Sequence, residues 1–388
     1  MYVLRPYQKA ASDAALRAFR SPRGKSGLLV LPTGAGKSLV IADIAYKLGE
    51  PLLVFQPSKE ILEQNYAKLC SYGVMDCSVY SASVGQKKIS RITFCTIGTA
   101  INSLEAFRSY RYIIWDECHH MVNPKGGQAE TFIHDVPNRV IIGLTATPYR
   151  LCTYRGGSML KFLTRTRPRI FSEVLYYCQI SELLAKGFLA NLNYYDVTKI
   201  DMTKVSSNST GNDFDDESLI KEYERSGFYD QLISTVDRLR HPKRGGKRKG
   251  ILVFTKFVRE AQMVVDHFPK AALVCGTTPK KERERVLQQF KSGEIEIVAN
   301  AQTLTTGFDY PELDTIVMAR PTKSLALYYQ IVGRAIRPHK DKETGWIVDM
   351  CGNYKRFGRV DELRVECPAN TEKWMITSRG RQLTNVFF

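Results

Sequence analysis

The stretch that most limits how this chain can fold is GLLVLPTGAGKSLVIADIAYKLG, residues 27–49. An apolar run (27–31) reads as a buried strand and 38–49 as a helix, with a glycine-rich turn between them. Such a unit opens a right-handed crossover, and crossovers of that kind lay successive strands parallel. PLLVF (51–55), RITFC (91–95), YIIW (112–115) and VIIGL (140–144) read as further buried strands, and SKEILEQNYAKLCSYG (58–73) as a helix. The first part of the chain is therefore α/β with a mostly parallel sheet.

The same rhythm returns later. GILVF (250–254), AALVC (271–275), EIEIVAN (294–300), DTIVMAR (314–320) and GWIVDM (345–350) are strand-like, while 258–268 and 279–293 are helical in pattern. At 388 residues the chain exceeds what one hydrophobic core usually holds. The pattern predicts one domain over 1–150 and a second over 226–350. A linker or insertion over 151–225 separates them, and a short tail fills 351–388. The inserted region carries a basic segment, KFLTRTRPR (161–169), and a Ser-, Asn- and Asp-rich segment, KVSSNSTGNDFDDES (204–218). Composition of the latter kind predicts a mobile surface loop. A second basic run, HPKRGGKRKG (241–250), leads into the next strand.

The turn LPTGAGKS (31–38) approaches the pattern G-x-x-x-x-G-K-[ST], with Pro or Thr where the first glycine usually stands. Thr33, Gly34, Ala35 and Gly36 form a loop whose backbone N–H groups curl around phosphate oxygens. Lys37 reaches the terminal phosphates, Ser38 holds Mg²⁺, and the helix N-terminus adds a favourable dipole. Such a loop needs a carboxylate for the metal and a group to orient water. YIIW ends at Asp116 and Glu117, and acids at the carboxyl end of a parallel strand project into the crevice where ligands of open α/β sheets bind. Asp116 is assigned to Mg²⁺ and Glu117 to polarising the attacking water, with ATP as substrate. Cys118, His119 and His120 raise a zinc alternative, but no second ligand cluster stands at suitable spacing. His119 is expected to hydrogen-bond toward the next motif.

Composition narrows the partners. Lys and Arg total 56 against 39 acids, a formal charge of +17. A polyanion is implied, nucleic acid before membrane. No apolar run approaches the ~18 residues of a membrane span. The start MYVLRPYQ shows no leader, and the 9 cysteines are scattered without a C-x-x-C pair. The expectation is reduced thiols in the cytoplasm.

With LPTGAGKS and DECHH in this order, the chain resembles the superfamily 2 helicases of the DExH type. Arg5-Pro6-Tyr7-Gln8 resembles their upstream adenine-reading element, QPSKEILEQ (56–64) motif Ia, TIGTA (96–100) motif Ib and TATP (145–148) motif III. LVFTKF (252–257) resembles motif IV, TLTTGFDYPELD (303–314) motif V and QIVGRAIRPH (330–339) motif VI. The wording LRPYQ, VLPTGAGKSLVIA, GLTATPYRL, LTTGFD and RPTKSLALYYQIVGR is similar to the RadD-type bacterial and phage repair helicases, without their cysteine-rich region after the motor.

The resemblance implies two RecA-like parallel-sheet domains with an ATP cleft between them. It implies that Arg5, Gln8, Gly307 and Asp309 help hold the nucleotide, and that Gln330, Arg334 and Arg337 act on its phosphates. Ser58, Lys59, Thr96, Thr255 and Thr303 would touch a nucleic-acid backbone, and Thr145 and Thr147, with His119, would couple the two events. The implied activity is that of an ATP-dependent DNA helicase or translocase in repair, recombination or replication, acting as a monomer with other repair or replication proteins as partners. The alternatives are an RNA helicase and a duplex translocase subunit that does not separate strands. If the basic run extends the nucleic-acid track, neutralising Lys243, Arg244, Lys247, Arg248 and Lys249 together will flatten the dependence of binding on salt; an unchanged slope removes the run from the track.

Overall fold

The computed structural model describes residues 3–22, 24–121, 127–135, 139–154, 157–242, 248, 250–304 and 310–387. The chain forms two compact units. One comprises Met1–Arg150, Lys161–Gln179 and Val365–Ile376; the other comprises Leu151–Leu160, Ile180–Arg364 and Thr377–Phe388.

The first unit opens with α1 (Pro6–Arg20), β1 (Gly27–Val30), α2 (Lys37–Leu48), β2 (Leu52–Phe55) and α3 (Lys59–Cys70). There follow β3 (Cys77–Ser81), β4 (Gln86–Lys87), β5 (Ile92–Cys95), the single turn α4 (Ile97–Ala100), β6 (Tyr112–Asp116), α5 (Gln128–His134) and β7 (Val140–Thr145). A two-stranded ribbon, β8 (Tyr149–Tyr154) and β9 (Gly157–Phe162), precedes β10 (Glu173–Tyr177). The 8-stranded sheet runs β10-β1-β7-β6-β2-β5-β3-β4. Its pairings are parallel except for β4, which turns back antiparallel on β3. Every residue of β1, β2, β5 and β7 is buried, as continuous apolar runs require when both faces are covered. Helix α1 buries Tyr7, Ala11, Ala15 and Phe19, spaced one turn apart on one stripe. It is tied to α2 by the Ser12 hydroxyl, which donates to Asp43 Oδ2 at 2.6 Å.

The second unit contains α6 (Ile180–Ala185), β11 (Asn191–Asp196), α7 (Asp216–Ser226), α8 (Phe228–Arg240), β12 (Ile251–Thr255) and α9 (Val258–His267). It continues with β13 (Ala271–Val274), α10 (Lys280–Ser292), β14 (Ile297–Ala301), β15 (Thr315–Ala319), α11 (Leu325–Val332), β16 (Thr344–Asp349) and α12 (Asn353–Phe357). Its 6-stranded sheet, β11-β16-β15-β12-β14-β13, is parallel throughout. Gly227 (φ 65°) ends α7 and begins α8, a left-handed position that favours glycine. The sharp turn stacks Tyr223 on Phe228, ring centroids 3.9 Å apart, within a core that includes Val264, Ile251 and Val317. Each unit is thus a RecA-like α/β layer structure.

Three expectations need correction. The compact units cut across the region 151–225: 151–160 and 180–225 fall in the second unit and 161–179 in the first. The strand β10 within it escaped notice because EVLYY is only half-buried at the sheet edge, so it carries no continuous apolar signal. The segment 204–218, read as a mobile loop, is a folded turn leading into α7, with Asp215 capping the helix by accepting the Ser218 N–H. The tail, for its part, is shared between the units rather than standing free, with Val365–Ile376 in the first.

Replacing Phe228, which is fully buried, with alanine should cost the second unit about 3–5 kcal/mol through the cavity it leaves. Denaturant unfolding followed in that unit checks this, and a loss below ~1 kcal/mol would show that the stack is not part of its core.

Candidate functional site

The carboxyl ends of β1, β7 and β6 lie side by side in the first unit, and the site is built on them. The turn after β1 uses Gly34 (φ 83°) and Gly36 (φ 77°) in the left-handed region. A Cβ at Gly36 would stand 2.5 Å from Gln8 Nε2, so the position is closed to side chains by space as well as by conformation. The turn is braced from α1. The Tyr7 hydroxyl and Gln8 Nε2 both donate to the Ala35 carbonyl, at 3.0 and 2.8 Å, while Gln8 Oε1 accepts the Arg5 N–H at 2.9 Å. Gln8 is 3% exposed, so its amide holds the phosphate loop rather than standing open. Arg5 is half-buried, its Nη1 3.5 Å from the Tyr7 hydroxyl. Thr33 and Ser38 flank the turn, Ser38 in the first turn of α2.

Asp116 ends β6, and the next residue, Glu117, is held at φ 47°, ψ 47°. A left-handed glutamate costs about 1–2 kcal/mol, and the bend aims its carboxylate at the turn. Lys37 Nζ meets Glu117 Oε1 at 2.8 Å. Asp116 Oδ1 accepts the Glu117 N–H at 3.0 Å, and Oδ2 accepts from Asn65 Nδ2 at 3.1 Å. The same Asn65 amide donates to Gln56 Oε1 at 3.0 Å. Burial, aided by the neighbouring charge of Glu117, pushes the Asp116 carboxyl up to about 7. Burial also acts upward on Glu117, but the Lys37 ammonium, helped by His119, outweighs it and holds Glu117 below the usual carboxylate range.

His119 Nδ1 lies 2.9 Å from the Thr145 hydroxyl in a hydrogen bond and 3.5 Å from Glu117 Oε2. Thr145 Oγ1 in turn accepts the Thr147 N–H at 2.9 Å. The acid that meets Lys37 is thereby connected through one imidazole to the TATP segment after β7. Burial lowers His119 to about 3, so the ring is neutral near pH 7. Cys118 is fully buried, and a Cβ at Gly143 would come within 2.7 Å of its sulfur, so it packs the sheet. Among the described residues no group of three or more His, Cys, Asp or Glu side chains is placed to hold a metal ion. Ser38 and Asp116 offer the hard oxygen donors that suit Mg²⁺, bound mainly through its nucleotide.

The remaining expected residues divide. Ser58 caps α3 by accepting the Ile61 N–H at 3.4 Å, Lys59 pairs with Glu63 at 3.6 Å, and the Thr96 hydroxyl lies 3.0 Å from that of Ser81. All three follow β2 or β5 and are half-buried at the carboxyl edge, beyond the phosphate turn. In the second unit Thr303 donates to the Val274 carbonyl at 3.1 Å. Thr255 is a correction: it is 0% exposed and donates to the Phe257 carbonyl at 2.8 Å, so its hydroxyl presents no surface to a nucleic acid. Gln330 lies on α11; Arg334 and Arg337 follow it, Arg334 8% exposed and Arg337 lowered by burial. Gly307 and Asp309 lie outside the described residues, as do Lys243, Arg244, Lys247 and Lys249. Sequence reasoning missed Asn65 and the brace by Tyr7. For Asn65 a signal existed: it shares the buried stripe of α3 with Leu62 and Leu69.

Residues 1–150 match the family model described as type III restriction enzyme, res subunit, and residues 230–339 match that of the helicase conserved C-terminal domain. A "51.5 kDa protein" of a Lactococcus phage (isolate 7-9) is 27% identical over 85% of this chain and 66% of its own length. The "DNA 3'-5' translocase XPB2" of Sulfurisphaera tokodaii is 25% identical over 88% of this chain and 80% of its own. In structure the chain is similar to the "ATP-dependent Type ISP restriction-modification enzyme LlaBIII bound to DNA", with a TM-score of 0.66 and 18% identity over 90% of this chain and 28% of that one. The chain spans 52% to 66% of the length of the first relatives it matches. The two matches follow one another along the chain, a restriction-enzyme res-subunit model and then a helicase C-terminal model, and the relatives it is similar to include proteins described as helicases and translocases.

Because His119 is depressed from 6.5 to about 3, the unfolded chain binds the extra proton first as pH falls. The contribution of the buried neutral ring is full above pH 6.5 and is lost as pH falls toward 3. The imidazole nitrogen shifts of His119 should therefore report the neutral ring at pH 5, and a titration centred near 6.5 would contradict the buried placement.

Proposed function

We propose that this chain is an ATP-driven motor of superfamily 2 that moves on or remodels DNA, working in the cytoplasm. In this reading it is of the RadD-like repair-helicase type, which the wording of its motifs supports. The observation that carries the reading is the network joining Lys37, Glu117, Asp116, His119 and Thr145 at one sheet edge. A phosphate-binding lysine, a metal-seeking acid and a base with a link to a second motif are the parts that nucleotide-driven movement needs.

In this reading the backbone of the Gly34–Gly36 turn and Lys37 hold the ATP phosphates, exchanging the Glu117 carboxylate for phosphate oxygens. Released from Lys37, Glu117 orients a water and accepts its proton as the oxygen attacks the γ-phosphorus and the bond to the β-phosphate oxygen breaks. Ser38 and Asp116 would hold Mg²⁺, which when bound would supply neutralising charge to the phosphates. Arg334 and Arg337 meet the charge that develops on the transferred group, with Gln330 beside them. His119 reports the position of Glu117 to Thr145 and Thr147. Ser58, Lys59, Thr96 and Thr303 contact the sugar-phosphate backbone without reading bases. Similarity to a protein described as a DNA translocase favours, as a second reading, movement along duplex without strand separation.

Glu117→Gln should leave ATP binding intact and lower turnover by ~10²-fold or more, as loss of a positioned base does. Turnover retained in that variant would remove the base assignment. ATP hydrolysis should be stimulated by single-stranded or forked DNA over RNA of matched length; stimulation by RNA alone would overturn the DNA assignment.

A further inference from the structure

The Ser-, Asn- and Asp-rich segment has no part in the nucleotide chemistry, yet it is folded. Asn208 Oδ1 accepts the N–H groups of Asn212 and Asp213, at 3.1 and 3.3 Å, and the Asn208 N–H donates to the Asp213 carbonyl at 2.9 Å. Phe214, 4% exposed, anchors the turn in the core of the second unit. The turn lines a pocket of about 550 Å³. Three other lining residues, Lys256, Gln302 and Arg320, follow the carboxyl ends of β12, β14 and β15, which are neighbours in the sheet. Lys256 and Arg320 are each 7% exposed.

Two cations buried at a sheet edge need an anion. The one they have is internal: Asp213 Oδ2 meets Lys256 Nζ at 2.8 Å, with Asp216 Oδ1 at 3.3 Å. The fit is incomplete. Asp213 Oδ1 and Arg320 Nε are both buried without a hydrogen-bond partner. The two carboxylates meet the lysine, and Arg320 Nε is left without an acceptor. A phosphodiester, with its two non-bridging oxygens held by a tetrahedral phosphorus, has the charge and the spare acceptors to serve both. Burial lowers the Arg320 guanidinium, and the charge of Asp213 acts against that.

We propose that Asp213 is a built-in competitor of a nucleic-acid phosphodiester for Lys256 and Arg320, so that the turn keeps this pocket closed until a backbone phosphate displaces its carboxylate. The inference rests on the nucleic-acid reading given above. The turn need not unfold, because its own hydrogen bonds and Phe214 hold it while one side chain swings away. Displacement breaks the Lys256–Asp213 pair and leaves Asp216 beside the lysine.

The test is binding of an end-labelled single-stranded oligothymidylate to the full chain, followed by fluorescence anisotropy at fixed salt. Asp213→Asn should bind about fivefold tighter than the natural protein, the order expected for removing one charged competitor. Adding Arg320→Gln to that variant should abolish the gain. Asp216→Asn, at a side chain 63% exposed, should give a gain of about twofold and carries the test if the first variant does not fold. Binding by the natural protein that neither aspartate variant tightens overturns the competition and leaves the motor reading intact. Binding by none of the proteins, with ATP hydrolysis still stimulated by DNA, also overturns only the competition. The same result with hydrolysis indifferent to every polymer overturns both.

Discussion

The contact on which the first unit's chemistry depends is the ion pair between Lys37 and Glu117, 2.8 Å long. It joins the turn after β1 to the end of β6, two strands apart in the sheet. Neither residue reaches that position by its own preference. Lys37 is placed by glycines in left-handed conformations, and Glu117 by a left-handed backbone that a side chain adopts only at a cost. The sheet supplies the rigidity that keeps both in place, because its central strands are buried on both faces and cannot shift without opening the core. Asn65, itself held by Gln56, then fixes Asp116, and His119 lies against Glu117. A site made this way has its charges set by the fold itself, which is the arrangement that the proposed phosphoryl transfer requires.

The second unit repeats the architecture and differs in its electrostatics. At its carboxyl edge two cations, Lys256 and Arg320, are buried, and the lysine is met by carboxylates from a turn of the same unit. In the first unit an internal ion pair engages Lys37; in the second an internal ion pair engages Lys256. Both pairs join a lysine on the carboxyl side of a sheet to an acid on another segment of the same unit. The chain's surplus of basic residues is thus not spread evenly into solvent, and part of it is stored in masked form.

Much of this was legible without coordinates. The strand–turn–helix of 27–49 and the acids after YIIW carry their meaning in local order, since a phosphate loop is made of consecutive residues and a strand end is marked by the close of an apolar run. Alternation of apolar strands with helices revealed both sheets. Edge strands were less visible: EVLYY at 173–177 is half-exposed, so it lacks the continuous apolar signal. Polar composition at 204–218 suggested mobility, because side chains that hydrogen-bond their own backbone leave the same residue types in a sequence as those that bond only water. Thr255 was read as a surface hydroxyl from its place in a motif, while its burial at the end of β12 follows from packing that no motif records.

Short-range order and hydrophobic period place the glycine turn of 34–36, the two acids that follow YIIW and the two parallel sheets, all of which are written in consecutive residues. Long-range packing set the rest: Gln8 and Tyr7 brace the turn, Asn65 holds Asp116, and Asp213 lies on Lys256. Those pairs join residues 27 to 51 positions apart. Nothing in local propensity selects such partners; the register of strands and the burial of charge select them, since a buried ion or amide is tolerated only where a distant part of the chain brings it a partner.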